Sequence, residues 1–240
     1  MLVEVCCNSL ESALNAEEAG ADRIELCSEL GIGGVTPSFG LIQLVRERLK
    51  IPVHVLVRPR SAHFTYTETE FTVLLRDIEA CMELGVDGIV SGVLCDDAAI
   101  DLERTKQVIA LARPLHFTFH RAFDWVSDQK TALKQLSEIG VNTVLTSGQR
   151  NTAEQGMEQL KALQAIGAES TIMPGAGINA SNAHRFKAMG FEAIHLSGTL
   201  FGNTVKIDQK IPMNSQKHLV EHEVAVTNTT LVRQIVQSVK

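Results

Sequence analysis

The sequence predicts an α/β fold, a (β/α)₈ barrel in a single domain with an irregular insertion ahead of its last helix. Three observations predict it. Eight short apolar runs rich in β-branched residues occupy 2–6, 23–27, 53–57, 88–91, 115–119, 143–146, 170–173 and 193–196. One helical pattern separates each run from the next, and that alternation calls for parallel pairing, since parallel strands can be joined only by a crossover. Eight such units fill a chain of 240 residues, where this barrel typically takes about 250. In such a fold, chemistry is carried by the loops that leave the C-terminal ends of the strands.

The elements follow in order. Leu10, Ala13, Leu14 and Ala19 make the apolar stripe of the first helix, and Leu74, Ile78, Cys81 and Met82 that of the third. Gly20, Gly85, Gly140 and Gly190 each follow a helical pattern and precede a strand, the place where a left-handed residue closes a helix. After the eighth strand the rhythm stops. Residues 202–228 show no clean period and are expected to be an irregular insertion, longer than an ordinary connection. Leu231, Val232, Ile235, Val236 and Val239 then resume a helical stripe over 229–239, with Thr229 or Thr230 as N-cap.

Composition narrows the function classes. The chain is 45% hydrophobic and carries a formal charge of −6 with no basic cluster, which argues against nucleic acid as a partner. No apolar run approaches the roughly 18 residues of a membrane span, and Glu4 interrupts the first apolar run, unlike a signal peptide. A cytoplasmic protein is expected. Its five cysteines include no C-x-x-C pair and are expected to remain thiols in a reducing compartment.

Side chains alternate along a strand between the barrel interior and the helix layer. The strings VEVC and IELC therefore put Glu4 with Cys6 on one face, and Glu25 with Cys27 on one face. A carboxylate in the apolar layer would be an unpaired buried charge, so all four are expected to face the barrel, the cysteines nearer its mouth. Two thiols on adjacent strands could meet one metal ion, and soft ligands select Cu(I) first, here as a two-coordinate site. The competing account is that both cysteines are small core residues.

The third strand runs into Arg58 and Arg60, which share a face with His54 and Leu56. A guanidinium there is either an anion clamp or the counter-charge of Glu4 or Glu25. HFTFHRAFD places His120 at the end of the fifth strand as a candidate acid or base with Glu4 and Glu25, or as a structural histidine in an ion-pair network. Candidate anion donors come from three turns: Ser147 and Gly148 after the sixth strand, Gly175 and Gly177 after the seventh, and Ser197 and Gly198 after the eighth. His218, Glu221 and His222 match the H-x-x-E-H zinc motif, but they sit in the insertion and are read as a solvated polar loop.

The strings VEVC, GADRIELC, GGVTPSFG, HVLVRPR, TFHRAFD, LTSG, PGAGIN and IHLSG, in this order from residue 2 to about Gly198, resemble the CutC family. The resemblance implies a TIM barrel in the cytoplasm, a proposed role in copper homeostasis and a homodimer or larger homo-oligomer. It implies further that Cys6 and Cys27 match the cysteines proposed to bind Cu(I). One departure stands out: the family's usual PGGG after the seventh strand is Pro174-Gly175-Ala176-Gly177 here, which strains the turn if Ala176 needs positive φ. Two functions follow, a Cu(I)-binding protein and, in a different class, an enzyme acting on a small anionic or phosphorylated metabolite.

Overall fold

A computed structural model describes residues 1–203, 211 and 223–240. Eight parallel strands make one sheet: β1 (Leu2–Cys7), β2 (Arg23–Leu26), β3 (Val53–Leu56), β4 (Gly88–Ser91), β5 (His116–Phe119), β6 (Thr143–Thr146), β7 (Thr171–Pro174) and β8 (Ala193–Leu196). Their order is β7-β6-β5-β4-β3-β2-β1-β8, so the last strand returns beside the first. At the remaining seam β7 and β8 lie together, and Leu145, Met173 and Ala193 pack there with Leu2. The result is a nearly closed (β/α)₈ barrel.

The helices are α1 (Leu10–Glu18), α2 (Phe39–Arg48), α3 (Glu68–Glu83), α4 (Leu102–Ala112), α5 (Gln129–Glu138), α6 (Met157–Gln164), α7 (Ala183–Ala188) and α8 (Thr229–Val239). Their apolar stripes bury against the outward side chains of the strands, where Val3, Val5, Ile24, Val53, Val55, Ile89, Phe119, Val144 and Ile194 are inaccessible to solvent or nearly so. Each side chain of that size contributes about 1.5–3 kcal/mol on full burial. In α3 the buried residues Phe71, Leu74, Ile78 and Cys81 recur at helical spacing, and Thr67 with Glu70 closes its first turn as a reciprocal capping box. Among the described residues, no helix is long and apolar enough to cross a membrane.

The stretch from residue 202 is more regular at its two ends than its composition predicts. Two further strands, β9 (Thr199–Asn203) and β10 (Glu223–Thr227), pair antiparallel, with Leu200 opposite Val226 and Thr199 opposite Thr227. TLFGN and EVAVT are mixed strings rather than apolar runs, and the pairing supplies the regularity. The Thr227 backbone N–H donates to Ser12 Oγ (3.1 Å), and the Asn15 side chain donates to the Thr227 carbonyl (2.9 Å), which fastens the ribbon to α1. His218, Glu221 and His222 lie outside the described residues.

Candidate functional site

The barrel interior is polar where such barrels are usually filled by branched apolar side chains. Glu4, fully buried on β1, accepts a hydrogen bond from Arg23 Nε of β2 at 2.5 Å. Its other oxygen lies 2.8 Å from His195 Nδ1 of β8, and His54 Nδ1 of β3 is 3.8 Å from the first. The His54 ring stacks beside His116 with centroids 4.9 Å apart, and His116 Nε2 lies 3.0 Å from Thr143 Oγ1. Gly88 makes room for this layer, since a Cβ there would stand 2.5 Å from the His54 ring.

Two residues further along β1 and β2, towards the barrel mouth, are Cys6 and a second carboxylate, Glu25, with Cys27 two residues beyond it. Cys6 Sγ is 3.6 Å from Cys27 Sγ and 3.6 Å from Glu25 Oε1. Leu30, Leu56 and Val90 pack around the cysteines. The ligand atoms of Cys6, Glu25 and His195 all lie within 4.8 Å of one another. Glu25 Oε2 is buried and has no hydrogen-bond partner. Two thiols, an imidazole and an orphaned carboxylate oxygen are a donor set that fits a soft or borderline metal ion.

The electrostatics separate the two glutamates. Burial opposes the ionisation of Glu4, yet the His195 hydrogen bond and the Arg23 and His195 charges outweigh it and hold the carboxyl well below its usual range. Glu25 has no arginine of its own, and burial pushes its carboxyl up against the pull of His195. His195 is raised: burial disfavours its cation, but Glu25 and Glu4 favour it more. The Cys6 thiol is pushed well up by its hydrogen bond with Cys27 and by burial.

The strands bring Glu4, Cys6, Glu25 and Cys27 together in the interior and leave the other candidates elsewhere. Arg58 neutralises neither glutamate. Its guanidinium donates to the Ile32, Gly34 and Ala62 carbonyls at 3.0, 2.8 and 2.7 Å and stacks over Phe64. Arg60 donates to Glu70 (2.5 Å) and to the Ser61, His63 and Thr65 carbonyls, so its donors serve the loop before α3. His120 stands apart from the two carboxylates. Its Nδ1 accepts from the Ala122 N–H (3.2 Å), its ring lies 4.9 Å from Phe64, and burial, with Arg58 adding to it, lowers its pKa to about 3.

The turn after β6 does bind an anion, but the anion is Asp124. Its carboxylate accepts from the Thr146 hydroxyl (2.5 Å), the Ser147 N–H (3.1 Å) and hydroxyl (2.9 Å), the Gln149 N–H (3.2 Å) and Arg121 Nε (2.8 Å). Gly148 N–H turns inward to Thr146 Oγ1. After β7, Ala176 takes φ +77° between Gly175 and Gly177 (φ +73°), the strained alternative for that turn. After β8, Ser197 and Gly198 lead directly into β9, and the Gly198 carbonyl accepts from the N–H of Asn228, which caps the start of α8 (2.9 Å).

Above the acidic and thiol cluster is a cavity of about 1300 Å³, with Cys6, Glu25 and His195 in its lining. Phe64, His120 and Trp125 line it too, and Phe201, Val224 and Ala225 of the ribbon complete the wall. Arg23 and His195 are the site residues that sequence reasoning missed. Arg23 shares its strand face with Glu25 and Cys27, a signal that alternation supplies; His195 becomes a neighbour of Glu4 only when β8 pairs with β1.

Comparison with known proteins places these residues in context. The CutC family model matches residues 1–200. The family protein CutC of Salmonella agona is 48% identical over 196 residues, covering 82% of this chain and 79% of that one. A crystal structure named for copper homeostasis protein CutC from Streptococcus agalactiae superposes with a TM-score of 0.78 at 32% identity, covering 82% of this chain and 98% of that one. The 3-hexulose-6-phosphate synthase of Salmonella typhimurium, at 14% identity and a TM-score of 0.60 over 100% of this chain and 98% of that one, shares the fold alone.

Proposed function

Because the chain belongs to the CutC family, we propose that it binds copper as Cu(I), chiefly through Cys6 and Cys27, in the service of copper homeostasis. The observation that carries this reading is the pair of buried thiols with sulfurs 3.6 Å apart, close enough for one soft ion to bridge. Copper is cargo here, and the protein's part is to hold two reduced thiols ready. A reducing cytoplasm suits that state. Assembly with a second copy belongs to the same reading, supported by the exposed apolar side chains of Leu200, Phe201 and Val224 on the ribbon.

The test is an anaerobic Cu(I) titration against a competing chelator, with Cys6→Ser and Cys27→Ser beside the wild type. Tight binding of one equivalent that is lost in either variant supports the reading. Binding indifferent to both substitutions overturns it.

A second reading is favoured by the cavity, which is far larger than one ion needs. In it the chain is an enzyme acting on a small anionic metabolite. Glu25 and His120, each with an unpaired polar atom, face the substrate; Glu4 orients His195, and the Gly177 and Ser197 turns supply backbone donors. A thermal-shift survey of small carboxylates and phosphate esters tests it. A stabilising ligand whose effect disappears in Glu25→Gln supports it, and no shift with any of them counts against it.

A further inference from the structure

Resting on the reading that Cys6 and Cys27 hold a metal, we infer that Glu25 and His195 complete a four-donor site for a divalent borderline ion, Zn(II) being the best match. The thiol spacing is the first argument. With metal–thiolate bonds of about 2.3 Å, sulfurs 3.6 Å apart subtend an angle of about 103° at the ion. A linear pair at that bond length needs sulfurs about 4.6 Å apart. The pair as folded is bent to the tetrahedral angle, which leaves two positions for other ligands.

Two further donors stand beside Cys6, while Cys27 meets the group through its 3.6 Å contact with Cys6. Glu25 Oε1 is already 3.6 Å from Cys6 Sγ, and the Glu25 and His195 ligand atoms lie within 4.8 Å of it and of one another. Since Glu4 occupies His195 Nδ1, Nε2 is the ligand atom. Glu4 then plays the part usual behind a metal-bound histidine, a carboxylate that fixes the ring and strengthens its donor. All four donors come from the neighbouring strands β1, β2 and β8 or, for Cys27, from the residue just past β2.

Charge selects the ion. Arg23 is spent on Glu4, so Glu25 keeps an unpaired buried oxygen. Two thiolates and one carboxylate total −3; a monovalent ion leaves −2 in a buried site, whereas a divalent ion leaves −1. A carboxylate oxygen is also a poor partner for Cu(I) and an ordinary one for Zn(II).

The test is an anaerobic titration of the full chain with Co(II), a spectroscopic stand-in for Zn(II), followed by displacement with Zn(II). Wild type, Glu25→Gln and His195→Gln are compared, each also titrated with Cu(I). The expected result is one equivalent with the intense visible bands of four-coordinate Co(II) and thiolate-to-metal charge transfer. Each substitution should weaken Zn(II) at least tenfold while Cu(I) affinity changes less. A weak six-coordinate spectrum, or a four-coordinate one unchanged in both variants, overturns the inference. Cu(I) binding without Co(II) or Zn(II) binding overturns it and leaves the copper reading standing; binding of neither metal overturns both. Circular dichroism of the metal-free variants guards against unfolding, and Glu25→Gln, which removes charge without removing volume, decides alone if His195→Gln does not fold.

Discussion

Glu4 and His195 are 191 positions apart in the chain and 2.8 Å apart in the barrel, joined through Oε1 and Nδ1 at the edge where the last strand meets the first. With Arg23 on the other carboxylate oxygen, this is a buried ion-pair network under the candidate site. Its first consequence is for stability. Glu4→Gln leaves Arg23, itself buried, as an uncompensated cation, and removing one partner of such a pair costs about 3–5 kcal/mol. Urea denaturation should show that loss, and Glu4→Gln with Arg23→Met together should restore most of it. A single variant as stable as the wild type would mean that the interior solvates Arg23 by other means.

The interior histidines set a pH dependence. Burial lowers His54 and His120 to about 3 and His116 to about 4, from an ordinary value of 6.5. Between those values the unfolded chain takes up protons that the native chain refuses, so stability falls as pH falls. These three histidines contribute a difference of about three protons at pH 5.5, or about 4 kcal/mol per pH unit, partly offset by the raised Glu25 carboxyl. His195 does not add to this loss, because its raised pKa keeps it protonated in the native state there. Thermal unfolding followed from pH 7 to pH 5 should show a steep decline in Tm, which His120→Gln makes shallower. A flat profile would refute the assignment of neutral interior histidines.

Asp124 fills the donor nest of the β6 turn, so Asp124→Ala should leave the Ser147 and Gln149 N–H groups without their acceptor, at a cost of about 2–4 kcal/mol. Inorganic phosphate should recover part of that stability in the variant and have no comparable effect on the wild type. Equal stabilisation of both would locate phosphate elsewhere.

Ala176 carries a positive φ of +77°. Ala176→Gly should raise stability by about 0.5–1 kcal/mol, the relief of left-handed strain set against the greater freedom of an unfolded glycine. A loss of stability would show that the Ala176 methyl group packs well enough to repay its strain.

Local pattern reached a long way into this molecule. All eight barrel strands are legible as apolar runs, to within a residue or two at their ends, and alternation along β1 and β2 turns Glu4, Cys6, Glu25 and Cys27 to the same interior. The same alternation holds Arg23, which stands two residues before Glu25. What pattern did not reveal is who answers whom. Arg58 has the composition of an anion clamp, yet loop carbonyls brought over it by the turn at 32–34 and by Ala62 absorb its donors. Ser147 looks like a phosphate donor, yet an aspartate 23 residues earlier arrives first.

The order of strands and helices, the polar barrel face and the two E-x-C strings were determined by the sequence itself, because each depends on spacing within a few residues. Tertiary structure alone decided that β8 closes against β1 to bring His195 onto Glu4, that Arg23 spends its charge there, and that β9 and β10 become a wall of the mouth. Those choices join segments far apart in the chain, and no local periodicity encodes a hydrogen bond between residues 4 and 195; closure of the barrel creates it.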